Sequence, residues 1–226
     1  MKETLILLHG ALGAKEQLLP IKNLLLDQFD VHVMEFEGHG KNLSNKSFSI
    51  ALFVDNLLDY LRENDLEKVK VFGYSMGGYV ALSAAAKEPE RFSKILTLGT
   101  KFEWSPSIAS GEVKMLNPEI IEEKVPVFAR RLAQLHGESN WKNVMLKTAD
   151  MMLKMGDGQR TKDEVFGSVE TPTVVGIGDK DKMVSQEESK KYANIIKAKY
   201  VVLENIPHPI DMIAADRIKD YILNQL

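Results

Sequence analysis

The sequence predicts an α/β fold: an open, mostly parallel sheet of about six strands, helices on both faces, and a helical cap inserted late in the chain. Three observations predict it. Short apolar runs rich in Val, Ile and Leu alternate with segments of helical period along most of the chain. The stretch "VKVFGYSMGGYVALSAAAKEP", residues 69–89, joins a strand pattern to an alanine-rich helical one through G-x-S-x-G. Residues 101–169 hold no convincing strand but several short helical patterns, and a structureless excursion of that length is uncommon in a compact domain.

Taken in order, Thr4 to Leu8 reads as a buried strand closed by "HGALG", and Glu16 to Leu26 as a helix in spite of Pro20. Val31 to Phe36 reads as a strand, "EGHGKNLSNKS" as a loop, and Ile50 to Glu63 as a helix. Val69 to Phe72 is the next strand, and Met76 to Lys87 a helix that stops before Pro89. Phe92 to Leu98, Thr173 to Ile177 and Tyr200 to Leu203 complete the strands, with Gln186 to Ile196 and Pro209 to Leu226 as the last helices. Pro106, Pro118, Pro126 and Gly156 to Gly158 read as breaks within the 101–169 insertion.

At 226 residues the chain fits one domain, spanning 1–226, with interior enough for a sizeable core. Its 29 basic and 32 acidic residues nearly balance, which argues against nucleic acid and anionic membrane as partners. The absence of cysteine excludes disulfides, thiolate metal sites and a cysteine nucleophile, leaving serine as the obvious one. The N-terminus runs straight into "TLILLHG" without the pattern of a leader, and no apolar run approaches a membrane span. These features read as a soluble, cytoplasmic protein, a monomer or homodimer acting on a small molecule.

An open sheet of this kind delivers functional residues at the C-terminal ends of its strands. There stand "HGALG", Ser75, "DKDKMV" and "PHPID". A strand-to-helix turn as sharp as G-x-S-x-G holds its central residue in a strained conformation, which neighbours without bulk permit. Ser75 is therefore the candidate nucleophile and His208 the candidate general base, since an imidazole both takes and returns a proton near neutrality. Asp181 and Asp179 compete to orient His208. Asp181 is preferred because it fits G-x-x-D-x-x-V, from Gly178 to Val184, with Asp179 left as a turn-forming side chain. The backbone amides of Met76, which follows the serine, and of Ala11, with Leu12 next, are the candidate oxyanion donors. The other histidines, His9, His32, His39 and His136, read as structural, with His9 a candidate supporting donor beside the oxyanion loop.

With these residues in hand the chain resembles the α/β-hydrolase superfamily over nearly its whole length, through "LLHGALG", "EFEGHGKN", "GYSMGG", "GIGDKDKMV" and "IPHPID" in that order. The resemblance implies a Ser75, Asp181, His208 triad, no metal or organic cofactor, and a sheet lacking the family's first two strands. A serine nucleophile disfavours the chemistry of those relatives that carry aspartate there. Two departures stand out: "EGHG" replaces the usual "RGHG", leaving Glu37 without a role, and Pro207-His208-Pro209 replaces the usual Gly-His. Methionines and aromatics of the insertion suggest an apolar inner face, with Leu12, Trp104, Phe128, Trp141 and Met183 as candidate pocket residues and Arg130 and Arg131 as candidate carboxylate clamps. The expected function is hydrolysis of small to medium carboxylic esters through an acyl-enzyme. A triad-bearing lyase or perhydrolase and a non-catalytic small-molecule receptor are the alternatives.

Overall fold

Residues 2–226 are described by a computed structural model in which six strands form one all-parallel sheet. The strands are Glu3–Leu8 (β1), Phe29–Met34 (β2), Val69–Tyr74 (β3), Phe92–Leu98 (β4), Thr173–Lys180 (β5) and Lys199–Pro207 (β6), in the spatial order β2-β1-β3-β4-β5-β6. Central strands covered on both faces read as continuous apolar runs, and Leu5 to Leu8 of β1 are all inaccessible to solvent. The chain winds outward in opposite directions from β1 and β3, so the crevice at their C-terminal ends is a topological switch point.

Helices Leu19–Leu25 (α1), Ile50–Glu63 (α2) and Met76–Lys87 (α3) follow the first three strands. Between β4 and β5 lie Pro106–Glu112 (α4), Pro118–Lys124 (α5), Pro126–His136 (α6), Trp141–Lys154 (α7) and Asp163–Gly167 (α8). Gln186–Ile196 (α9) and Ala215–Gln225 (α10) complete the chain. One face of the sheet packs on α2, α3 and α9 and the other on α1 and α10, giving two apolar layers. Among the described residues no helix is long and apolar enough to cross a membrane.

Several boundaries differ from the sequence expectation, for local reasons. Pro106, Pro118 and Pro126 start helices instead of breaking them, because the first helical turn has no use for the missing N–H. Ser105 and Asn117 cap two of those starts, accepting the N–H of Ile108 at 3.3 Å and of Glu119 at 3.0 Å. The helix expected over Glu16 to Leu26 is a 3₁₀ turn, Lys15–Leu18, followed by α1 with Pro20 in its first turn. The last helix begins six residues beyond Pro209, after a 3₁₀ turn at Ile210–Met212 and extended backbone at Ile213. Past α7 the break falls at Gly158, whose φ of 99° ends a wide helical turn.

The insertion is seamed to the sheet at its first residues. Phe102 is fully buried and stacks on Tyr192 of α9 with ring centroids 4.6 Å apart, while Phe166 of α8 meets both rings edge-on. The Glu188 carboxylate of α9 accepts the N–H groups of Phe102 and Glu103 at 2.7 and 2.8 Å. Phe102→Ala is expected to lower unfolding stability by about 3–5 kcal/mol. Urea denaturation checks this, and a loss below about 1 kcal/mol would contradict the anchoring role.

Candidate active site

β3 ends at Tyr74 and α3 begins at Met76, so Ser75 alone makes the turn, at φ 50° and ψ −118°. A non-glycine residue there carries strain of about 1–3 kcal/mol, which the surroundings must hold. They do so through four hydrogen bonds: the Ser75 N–H donates to the Leu98 carbonyl at 2.9 Å, and the Ser75 carbonyl accepts Gly78 N–H and Thr100 Oγ1–H, both at 3.0 Å, and Tyr79 N–H at 3.4 Å. The flanking glycines are required by contact. A Cβ on Gly73 would lie 2.5 Å from the Gly78 backbone, and one on Gly77 would lie 2.6 Å from the Leu8 carbonyl oxygen.

The ends of β5 and β6 bring Asp181 and His208 together, with His208 Nδ1 2.7 Å from Asp181 Oδ2 and the Asp181 side chain 2% exposed. The other carboxylate oxygen accepts the N–H groups of Met183 and Val184 at 2.8 and 2.9 Å, which fixes the carboxylate's orientation. The imidazole therefore carries its hydrogen on Nδ1, leaving Nε2 as the basic ring nitrogen. Asp179 instead accepts the Ile206 N–H at 3.3 Å, beside the register shift between β5 and β6. Between prolines 207 and 209, the His208 carbonyl accepts the Tyr74 hydroxyl at 2.8 Å. Burial pushes that phenol's pKa up, so it stays a donor. Sequence reading missed Gly99, at φ 65°, where a Cβ would lie 3.1 Å from Asp181 Oδ2 and 3.2 Å from His208 Nδ1. A glycine closing a β4 strand beside the serine's strand was the available signal.

The loop after β1 is a tight turn closed by Gly13 N–H on the Gly10 carbonyl at 3.1 Å, with Leu12 in the left-handed region at φ 57°. It lies against the elbow: a Cβ on Gly10 would come within 2.8 Å of the Tyr74 ring and 3.1 Å of Ser75 Cβ. The N–H groups of Ala11 and Leu12 take no hydrogen-bond partner among the described residues. His9 Nδ1–H donates to the Gly10 carbonyl at 2.9 Å. Glu37 finds its role here as well. It accepts Ser44 Oγ–H at 2.6 Å, Lys46 Nζ–H at 3.0 Å and Asn56 Nδ2–H at 3.4 Å, tying the loop after β2 to α2. The Ser44 hydrogen bond leads the effects that hold its pKa below the usual carboxylate value.

Ser75, Met76, His208, Ala11 and Leu12 share the wall of one cavity of about 550 Å³. The insertion covers it with Trp104, Leu116, Ile121 and Phe128, and Met76, Met115, Met151, Met152, Met155 and Met183 supply six thioethers. Leu12, Trp104, Phe128 and Met183 line this cavity. Trp141 does not: it is 3% exposed, in a separate core of the insertion with Leu132, Ala133 and Met145, because its position on α7 faces α6. Neither arginine faces the cavity. Arg131 pairs with Asp211 at 2.5 Å, and Arg130 is exposed on the outer side of α6.

The chain belongs to the alpha/beta hydrolase fold family, whose model matches residues 3–138. It is 29% identical over 125 residues to "Uncharacterized hydrolase YugF" of Bacillus subtilis, a match that takes in 53% of this chain and 41% of that protein, so the chain spans less than half of YugF. It is 24% identical to "Lipase 3" of Moraxella sp. over 97% of this chain and 76% of that one. The crystal structure of a thermophilic esterase from Thermogutta terrifontis superposes with a TM-score of 0.79 at 19% identity, covering 99% of this chain and 89% of that chain.

Near the loop after β1, His39 is buried on Phe48 with centroids 4.8 Å apart, and burial holds its pKa well below the ordinary 6.5. A group with a depressed folded pKa of this kind is protonated first in the unfolded chain, so its stability contribution is complete above about pH 6.5 and is lost as pH falls below it. Unfolding stability is expected to drop between pH 7.5 and 5.5, and to drop less in His39→Phe. Denaturation curves at both pH values check this, and an unchanged pH dependence in the variant would contradict it.

Proposed function

We propose that this chain is a serine hydrolase cleaving small to medium carboxylic esters through an acyl-enzyme. The observation that carries this reading is the buried hydrogen bond between His208 Nδ1 and Asp181 Oδ2, made by a histidine that shares one apolar cavity with Ser75. Ser75 Oγ attacks the ester carbonyl carbon while its proton passes to His208 Nε2, and Asp181 stabilises the imidazolium that forms. The tetrahedral oxyanion is held by the amides of Met76 and Ala11. It collapses as the C–O bond breaks, and the alcohol leaves with the proton from His208. Water then attacks the acyl-enzyme, giving its proton to His208, and the acid departs as Ser75 takes that proton back. Residues of this chain supply each of these roles without a cofactor. The lipase and esterase relatives support the ester as substrate class, and the methionine-rich wall supports an apolar acyl group, because thioethers adapt to irregular shapes.

The test is turnover of p-nitrophenyl esters from acetate to decanoate. The native chain is expected to show a chain-length optimum, Ser75→Ala to lose nearly all activity, and Asp181→Asn to lose on the order of 10⁴ in kcat. Asp179→Asn is expected to stay within about threefold, since Asp179 accepts the Ile206 N–H and pairs with the exposed Lys180, away from His208. A Ser75→Ala variant as active as the native chain, or saturable ester binding without turnover, would overturn the reading. Product analysis separates hydrolysis from a lyase outcome at the same residues.

A further inference from the structure

Two carbonyls of the turn after β1, those of Gly10 and Leu12, are held by two histidines, His9 from the loop just past β1 and His136 from the insertion. His136, the last residue of α6, accepts the Gly40 N–H on Nδ1 at 2.9 Å, so its hydrogen sits on Nε2 and is donated to the Leu12 carbonyl at 3.0 Å. Burial lowers the pKa of His136, which keeps this single neutral tautomer in place. We infer that His136 is a positioning residue for the oxyanion hole: it locks the turn that presents the Ala11 amide to the cavity, and so makes that amide's aim depend on the seated insertion.

The inference follows from the planarity of the peptide unit. In a trans peptide the C=O and the following N–H point in opposite directions, so holding one aims the other. The Leu12 carbonyl shares its plane with the Gly13 N–H, and that N–H closes on the Gly10 carbonyl at 3.1 Å. The Gly10 carbonyl, also held by His9, shares its plane with the Ala11 N–H. Fixing Leu12 therefore fixes Ala11 two planes away. The turn needs such a hold because Leu12 sits at φ 57°, a conformation a leucine leaves when nothing retains it. His136 in turn is registered by its neighbours on the insertion: Asn140 Nδ2–H donates to the Gly38 carbonyl at 3.2 Å, and Lys147 Nζ–H to the Ser44 carbonyl at 2.6 Å.

This inference rests on the ester-hydrolase reading, and its test is chosen to fail separately. His136→Asn keeps an acceptor near Gly40 but does not reach Leu12, whereas His136→Gln reaches Leu12 with an N–H. Each is assayed on a p-nitrophenyl ester and on the corresponding thionoester, whose sulfur is a poor hydrogen-bond acceptor and gains little from an oxyanion hole. His136→Asn is expected to lower kcat on the oxygen ester about tenfold or more with KM within about twofold, and to lower the oxygen-to-sulfur rate ratio by a similar factor. His136→Gln is expected to keep both within about threefold of native. An unchanged rate ratio in His136→Asn, or equal losses on both substrates, would overturn the positioning role, as would a His136→Gln variant that falls as far as His136→Asn. Should His136→Asn fail to fold by circular dichroism, His136→Phe carries the same comparison. Ser75→Ala runs alongside: if it stays active the hydrolase reading fails, and if it is inactive while His136→Asn keeps its rate ratio, only the present inference fails.

Discussion

The rest of the site depends on how closely α3 and β1 approach at the elbow. Ser75 holds an unfavourable backbone conformation because Gly73 and Gly77 let the helix start press against β3 and against the end of β1. That same approach brings the loop after β1 into contact with the serine. The strain and the proximity of the loop after β1 are therefore one fact: a side chain at position 77 would push β1 away and would remove both. Parallel pairing of β3 with β1 and β4 then fixes which other loops can reach the serine. Gly99, at the end of β4, leaves the space in which Asp181 and His208 meet.

Most polar groups of the site stand on the sheet side, and the insertion contributes a mostly apolar roof whose charged part is the Lys101–Glu112 ion pair. Such a division suits chemistry that develops charge on one oxygen. A low-dielectric roof strengthens each fixed dipole beneath it and costs nothing in rearrangement when the charge appears. The insertion has its own small core around Trp141, Leu132 and Met145, and Ile121, Leu116 and Phe128 belong to or pack on that core while also lining the cavity, so the roof is held by the same packing that shapes it.

Strands and long helices were legible in the sequence because their patterns are local. Ile50–Glu63, Met76–Lys87, Phe92–Leu98 and Gln186–Ile196 have the boundaries their periodicity and flanking residues predict. The strand-end logic likewise picked Ser75, Asp181 and His208 from separate segments, and Asp181 was preferred to Asp179 because it fits G-x-x-D-x-x-V; the structure sets Asp181 against His208 and turns Asp179 to the Ile206 N–H. What was not legible depends on contacts between distant segments. Glu37 has a role only once Ser44, Lys46 and Asn56 surround it, and Gly99 matters only because two other loops need its space. Trp141 misled because a large aromatic on an amphipathic helix looks the same whether it faces a cavity or a neighbouring helix. The insertion's prolines misled because a proline that starts a helix and one that ends it are distinguished by which side the apolar period continues on.

The methionine wall has a chemical cost of its own. In a chain with no cysteine, the thioethers are the side chains most open to oxidation, and Met115 and Met183 stand at the mouth, 68% and 49% exposed. A peroxide entering this cavity would turn soft apolar surface into sulfoxide, polar and chiral, along the cavity wall. The serine, histidine and carboxylate would be left intact behind it. Ageing of the protein by oxidants would then change the polarity of the cavity wall, and repair would fall to sulfoxide reductases.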